Sequence, residues 1–215
     1  MKSPRFVAAL FLLGALGGRA YADRQLWLQP GLGVQPAKRI AIDFTAQTRF
    51  DQDISRVAAF LPEASVTYRV KKWLRVASGY RFEYERNNKG ELVVRHRIVG
   101  DVRLRWDKKP IRVDYRLRLV EQIRPSSKDQ LRTVLRNRIG MEYRASKRWI
   151  PGADVEAFHA LGDLDRLEHD RLRLTAGVTH SRRDHDVLAF FRVELYTDPQ
   201  QATAYIVGLA YHYQL

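Results

Sequence analysis

The chain of 215 residues contains no cysteine, so neither a disulfide scaffold nor a thiolate metal site is open to it. The fold has to hold by backbone pairing and packing alone. After the first sixteen residues no apolar run approaches the roughly 20 residues that a membrane-spanning helix needs. No Pro-, Gly- or Ser-rich stretch divides the chain, so a single domain is expected. A phosphate-cradling glycine loop, a His-Glu-x-x-His motif and a dinucleotide fingerprint are also missing, and no cofactor, metal or catalytic residue is expected. Acid is in short supply as well: 24 Asp and Glu face 38 Lys and Arg, a formal net charge of +14.

What is present begins with Lys2 and Arg5, an apolar stretch from Phe6 to Leu16, and the small-x-small triplet Ala20-Tyr21-Ala22. That is the pattern of a cleaved secretory signal peptide, expected over 1–22, with the mature domain over 23–215. Cleavage removes three cations and no acid, leaving +11, still strongly basic. A basic surface suits nucleic acid, an anionic membrane or an anionic solute. Export makes nucleic acid the poorest of these, so none is expected as a partner.

From Asp23 onward apolar and polar residues alternate with period two in segments of about ten to fourteen residues, the signature of strands. In Arg39 to Phe50, Ile40, Ile42, Phe44, Ala46 and Phe50 share one face, against Asp43, Gln47 and Arg49 on the other. Strands are predicted likewise over Gln25 to Val34, Glu63 to Lys71, Trp73 to Glu85, Leu92 to Trp106, Ile111 to Ile123 and Leu131 to Ala145. Asp154 to Leu161, Arg171 to His180, Val187 to Tyr196 and Thr203 to Leu215 complete the series. The polar faces carry Arg81, Arg95, Arg97, Arg103, Arg105, Arg116, Arg118, Arg136, Arg138, Arg173 and Arg192. Interleaved with them are Glu83, Asp101, Asp114, Glu142, Glu156 and Glu194.

The connections alternate in kind. Short basic turns at Pro36 to Arg39, Lys71-Lys72, Asp107 to Pro110, Ser146 to Arg148 and Ser181 to Asp184 alternate with longer links. The longer ones are Asp51 to Pro62, Arg86 to Gly90, Arg124 to Asp129, Gly162 to Asp170 and Thr197 to Gln201. Two unequal rims are how bacterial outer-membrane barrels are built, with the short turns in the periplasm.

Alternation alone would also suit a water-soluble barrel with an apolar interior. Three signs turn the sheet the other way. The polar face is crowded with Arg, Asp and Glu, as a hydrated or salt-bridged lumen would be. Aromatics gather near strand ends at Trp73, Tyr84, Trp106, Tyr143, Trp149 and Tyr196, where interfacial girdles sit. The final strand alternates through Tyr205, Val207, Leu209, Tyr211, Tyr213 and Leu215, resembling the terminal strand that the barrel-assembly machinery recognises, with Leu where Phe is usual.

The expectation is therefore an all-β, closed antiparallel transmembrane barrel in the outer membrane of a Gram-negative bacterium, porin-like but narrow. About 12 strands are expected, with 10 possible. Eleven are visible in the pattern, so an even number requires a twelfth in Asp51 to Phe60 or one fewer elsewhere. Outer-membrane lipids and the barrel-assembly machinery are the expected partners, with small anions as candidate solutes.

Several segments together resemble the DUF2490 family of outer-membrane barrels of unknown function. They are Phe60 to Tyr84 (FLPEASVTYRVKKWLRVASGYRFEY), Arg95-His96-Arg97, Leu135-Arg136-Asn137-Arg138, Asp170 to Val178 (DRLRLTAGV) and Tyr205 to Tyr213 (YIVGLAYHY). The resemblance implies architecture and location, and brings no activity or ligand with it.

Three functional readings follow. The arginine-rich face can pair with its acids and fill the barrel, a structural role. Its excess of Arg can instead leave a positive potential that favours anions in an open lumen. The third is a lipid-modifying enzyme on the wall: if residue 85 pairs near 91, Ser78 lies opposite residue 98 and diagonal to His96, the minimum for nucleophilic attack on an ester. The acidic run Asp163, Asp165, Glu168, His169 and Asp170 has oxygen donors but no EF-hand spacing, and reads as a solvated loop.

Overall fold

The computed structural model of the chain describes residues 23–87, 90–123, 131–144, 146–161 and 167–215. The signal-peptide expectation over 1–22 lies outside them. Eleven strands follow one another: β1 (Asp23–Ala37), β2 (Ile40–Asp51), β3 (Arg56–Arg69), β4 (Leu74–Arg86), β5 (Leu92–Lys108), β6 (Ile111–Ile123), β7 (Leu131–Tyr143), β8 (Trp149–Leu161), β9 (Leu167–Arg182), β10 (His185–Tyr196) and β11 (Ala204–Gln214). Each pairs with its neighbours in sequence order, and β1 meets β11 to close the barrel.

Ten of the eleven junctions are antiparallel, and the closing one is parallel, with Leu26 beside Val207 and Leu28 beside Leu209. The closed all-β barrel and a strand count near 12 are as expected, while the odd number and the parallel seam depart from an even, wholly antiparallel closure. In an up-and-down meander with an odd number of strands the first and last run the same way, so closure has to be parallel. No twelfth strand lies in Asp51 to Phe60: residues 52–55 form a turn, and Arg56 to Phe60 begin β3. A bulge at Ala58 disguises that continuity, because pairing steps from Arg49–Ala59 to Phe50–Val57 and breaks the period of two.

The apolar residues stand outside. Ile98, Val102, Leu104, Leu119, Ile139, Val155, Leu174, Val207 and Leu209 are exposed, while Glu83, Asp101, Arg118, Glu156, Arg173 and Glu194 are buried. This inverts the distribution of a water-soluble protein and matches a barrel whose lumen is polar. The links after β1, β3, β5, β7 and β9 have two to five residues, and the others four to seven. The rims therefore differ less than expected, chiefly because the link after β2 is four residues long.

Exposed Tyr68, Trp73, Trp106, Tyr143 and Trp149 ring the short-turn end, and Phe60 and Tyr84 the other. Tyr196 departs from the expected girdle. Its parity with Glu194 turns it inward, where its hydroxyl donates to Glu194 at 2.9 Å.

One side of the interior is apolar. Trp27, Phe190, Ala204 and Ile206 form a buried cluster with Leu188 and Tyr196 against it. Gly208 makes room for it: a Cβ there would overlap the Phe190 ring.

Candidate functional site

The interior faces of the strands enclose a cavity of about 540 Å³. Period two delivers its lining without further help, since every second residue of each strand points in. Thirteen arginines line it against six carboxylates, Asp43, Glu63, Glu85, Asp154, Glu156 and Asp170. Interior charge is costly unless paired, and most of this charge is paired.

Three carboxylates act as hubs. Glu156 on β8 accepts from Arg116 at 2.6 Å, Arg136 at 2.9 Å and Arg173 at 3.2 Å. Asp101 on β5 holds Arg118 through two nitrogens, at 2.6 and 2.8 Å, and Arg103 at 2.7 Å. Glu194 on β10 takes Arg173 at 2.8 Å and has Arg171 at 3.5 Å. Two-nitrogen contacts between guanidinium and carboxylate are the strong, directional kind. Glu83 meets Arg97 at 2.9 Å, Arg95 reaches Glu85 at 2.6 Å, Arg138 reaches Asp114 at 2.7 Å, and Arg81 pairs with Glu63.

Aromatic rings occupy the gaps between charges. Phe158 is 1% exposed, with the guanidinium carbons of Arg136, Arg171 and Arg173 at 4.5, 4.3 and 4.6 Å from its ring centre. Trp27 on β1 carries Arg49 at 4.0 Å and Arg192 at 4.9 Å. Such contacts orient a cation and stabilise it by about 0.5–2 kcal/mol without neutralising it.

The model of a protein family of unknown function, DUF2490, matches residues 24–197. The chain belongs to the DUF2490 family. No curated protein matches it. Among solved structures, the beta domain of the Bordetella autotransporter BrkA matches at 12% identity with a TM-score of 0.39, covering 76% of this chain and 79% of that one.

In this DUF2490 barrel all seventeen charged residues expected on the polar face stand on lumenal positions. Arg81, Arg95, Arg97, Arg103, Arg116, Arg118, Arg136, Arg138, Arg173 and Arg192 line the cavity. Arg105 sits on the same face of β5, nearer the short-turn rim. Asp114 and Glu142 pair with Arg138 and Arg112. Arg49, read with Gln47 on the polar face of its strand, also lines the cavity, as do Arg132 and Arg171, whose parity with Val134 and Arg173 places them there. Trp27, Phe158 and Phe190 were missed. They are apolar residues on a polar face, and their alternation with Gln25, Glu156 and Arg192 was the available signal.

The register separates the residues of the wall-enzyme reading. Arg86 pairs with Leu92, so Ser78 lies opposite Gly100 and His96 opposite Phe82. Ser78 and His96 are then four positions apart along the sheet, about 13 Å at roughly 3.3 Å per residue. His96 instead meets the Tyr80 hydroxyl at 2.5 Å through Nδ1, and Asn137 accepts from Tyr115 at 2.7 Å. Of the acidic run, Asp163 and Asp165 lie outside the described residues. Asp170 pairs with Arg132 at 3.3 Å, and His169 packs on His159 at 5.3 Å between ring centres. No group of three or more metal-ligating side chains occurs among the described residues.

Proposed function

We propose that the protein is an outer-membrane barrel with a narrow, anion-preferring lumen. The observation that carries this reading is the imbalance around the cavity, thirteen lining arginines to ten carboxylates, the six that line it with Glu83, Asp101, Asp114 and Glu194 behind them, which leaves a positive potential where a solute would sit. The apolar exterior and its aromatic rings support a position in lipid, and the basic short-turn rim is consistent with the periplasmic side. Insertion would then fall to the barrel-assembly machinery acting on β11. Eleven strands give a narrow bore, since wide aqueous channels belong to barrels of roughly sixteen strands or more.

Single-channel recording of the refolded protein in planar bilayers tests this. Small conductance steps and a reversal potential set by the anion gradient are expected. Silence where a known porin conducts overturns the channel reading in favour of a closed structural barrel. That second reading has its own support, because Phe158 under three arginines and the cluster around Trp27 fill much of the bore.

A further inference from the structure

Of the thirteen arginines that line the cavity, eleven have a carboxylate within 4 Å. The two that have none among the described residues are Arg49 and Arg192. They come from β2 and β10, on either side of the β1–β11 closure, and both lie against the same indole, Trp27, at 4.0 and 4.9 Å from its ring centre. The indole is 3% exposed and fixes where both cations rest.

Each of the two spends one donor on a neutral acceptor. Arg49 Nε donates to the Gln47 side-chain oxygen at 2.9 Å, and Arg192 Nε donates to the Thr175 hydroxyl at 3.1 Å. Their terminal nitrogens have no hydrogen-bond partner among the described residues, and both side chains line the cavity. Asp154, Glu194, Glu85 and Glu156 are the nearby acids, and all lie beyond 4 Å of either guanidinium. Glu194 is committed to Arg171, Arg173 and Tyr196.

Every other lining arginine has a carboxylate within 4 Å, although eleven arginines share eight acids, and the two without one lie against a single ring. We infer that Arg49 and Arg192 bind a doubly charged oxyanion of the phosphate type, held by their terminal nitrogens beside Trp27. Guanidinium forks match phosphate oxygens in pairs, and a dianion carries one charge for each of the two cations, where chloride offers neither the second charge nor a pair of oxygens. The site rests on the anion-preferring lumen proposed above and gives it a defined binding step.

The experiment is titration of inorganic phosphate into the refolded full chain in zwitterionic detergent, followed by calorimetry at constant ionic strength in chloride. Saturable binding of one phosphate per chain is expected. It should weaken about tenfold or more in Arg49→Gln/Arg192→Gln, and stay unchanged in Arg75→Gln, which stands on β4 opposite the lumenal Arg103 and outside the cavity lining. Absence of saturable binding, or equal affinity in the double variant, overturns the site. Heat-dependent mobility on SDS gels reports whether each variant has closed. If the double variant has not, Arg49→Lys and Arg192→Lys keep the charge and lose the fork; weaker binding is then expected, and unchanged binding overturns the site. Phosphate binding with silent bilayers removes the channel reading alone, whereas anion-selective current without phosphate binding removes the site alone.

Discussion

Glu156 shows how a single carboxylate can organise three cations. It is 2% exposed and accepts from Arg116, Arg136 and Arg173, which come from three different strands. Replacing it with Gln keeps the shape and removes the charge, leaving three buried guanidinium groups to repel one another. Losing one partner of a buried ion pair costs about 3–5 kcal/mol. Glu156→Gln is therefore expected to lower the urea midpoint of the refolded barrel by a corresponding amount, with the slope of the transition unchanged. A midpoint equal to the parent's would mean that lumenal water already screens the cluster.

At the scale of strands, the parallel closure can be tested directly because the chain has no cysteine to interfere. Leu28 and Leu209 are register partners across the seam, and partners in a sheet fall within the 4.4–6.8 Å Cα separation that a disulfide spans. Leu28→Cys/Leu209→Cys should cross-link under mild oxidation, while Leu28→Cys paired with Val207→Cys should do so far less. Efficient cross-linking of the second pair alone would mean that the register is shifted by two residues. The closure was not legible in the sequence, because period two gives the face of each residue and says nothing of which strands meet at the ends.

Other elements were legible to different depths for similar reasons. β6 could be read to its final residue, since Ile111 to Leu119 alternates strictly and only Val120 and Glu121 break the pattern. β3 was cut short because Ala58 breaks the period and Pro62 looks like a loop residue, although Pro62 stands in register opposite Ala46. The arginines of the lumen followed from parity. Their partners, and the absence of one for Arg49 and Arg192, depend on which strands lie side by side and at what height. The same dependence undid the Ser78–His96 pairing, where a shift of two in the hairpin register moved the residues apart.

For the whole molecule, the odd strand sets β1 apart from the other ten. β2 to β11 form five consecutive hairpins, each strand antiparallel to the next, and an even set of that kind can close on itself. β1 is then a removable stave, seated by parallel bonds on one side and by a ladder to β2 that skips Gln29 and Pro30 on the other. A chain in which residues 1–22 are joined directly to Lys38 is expected to form a ten-strand barrel that still shows heat-dependent mobility. It would lack Trp27, the ring that gathers Arg49 and Arg192, and phosphate binding should vanish while closure survives. The strand that makes the count odd would thus be a ligand-binding insert in an otherwise self-sufficient wall.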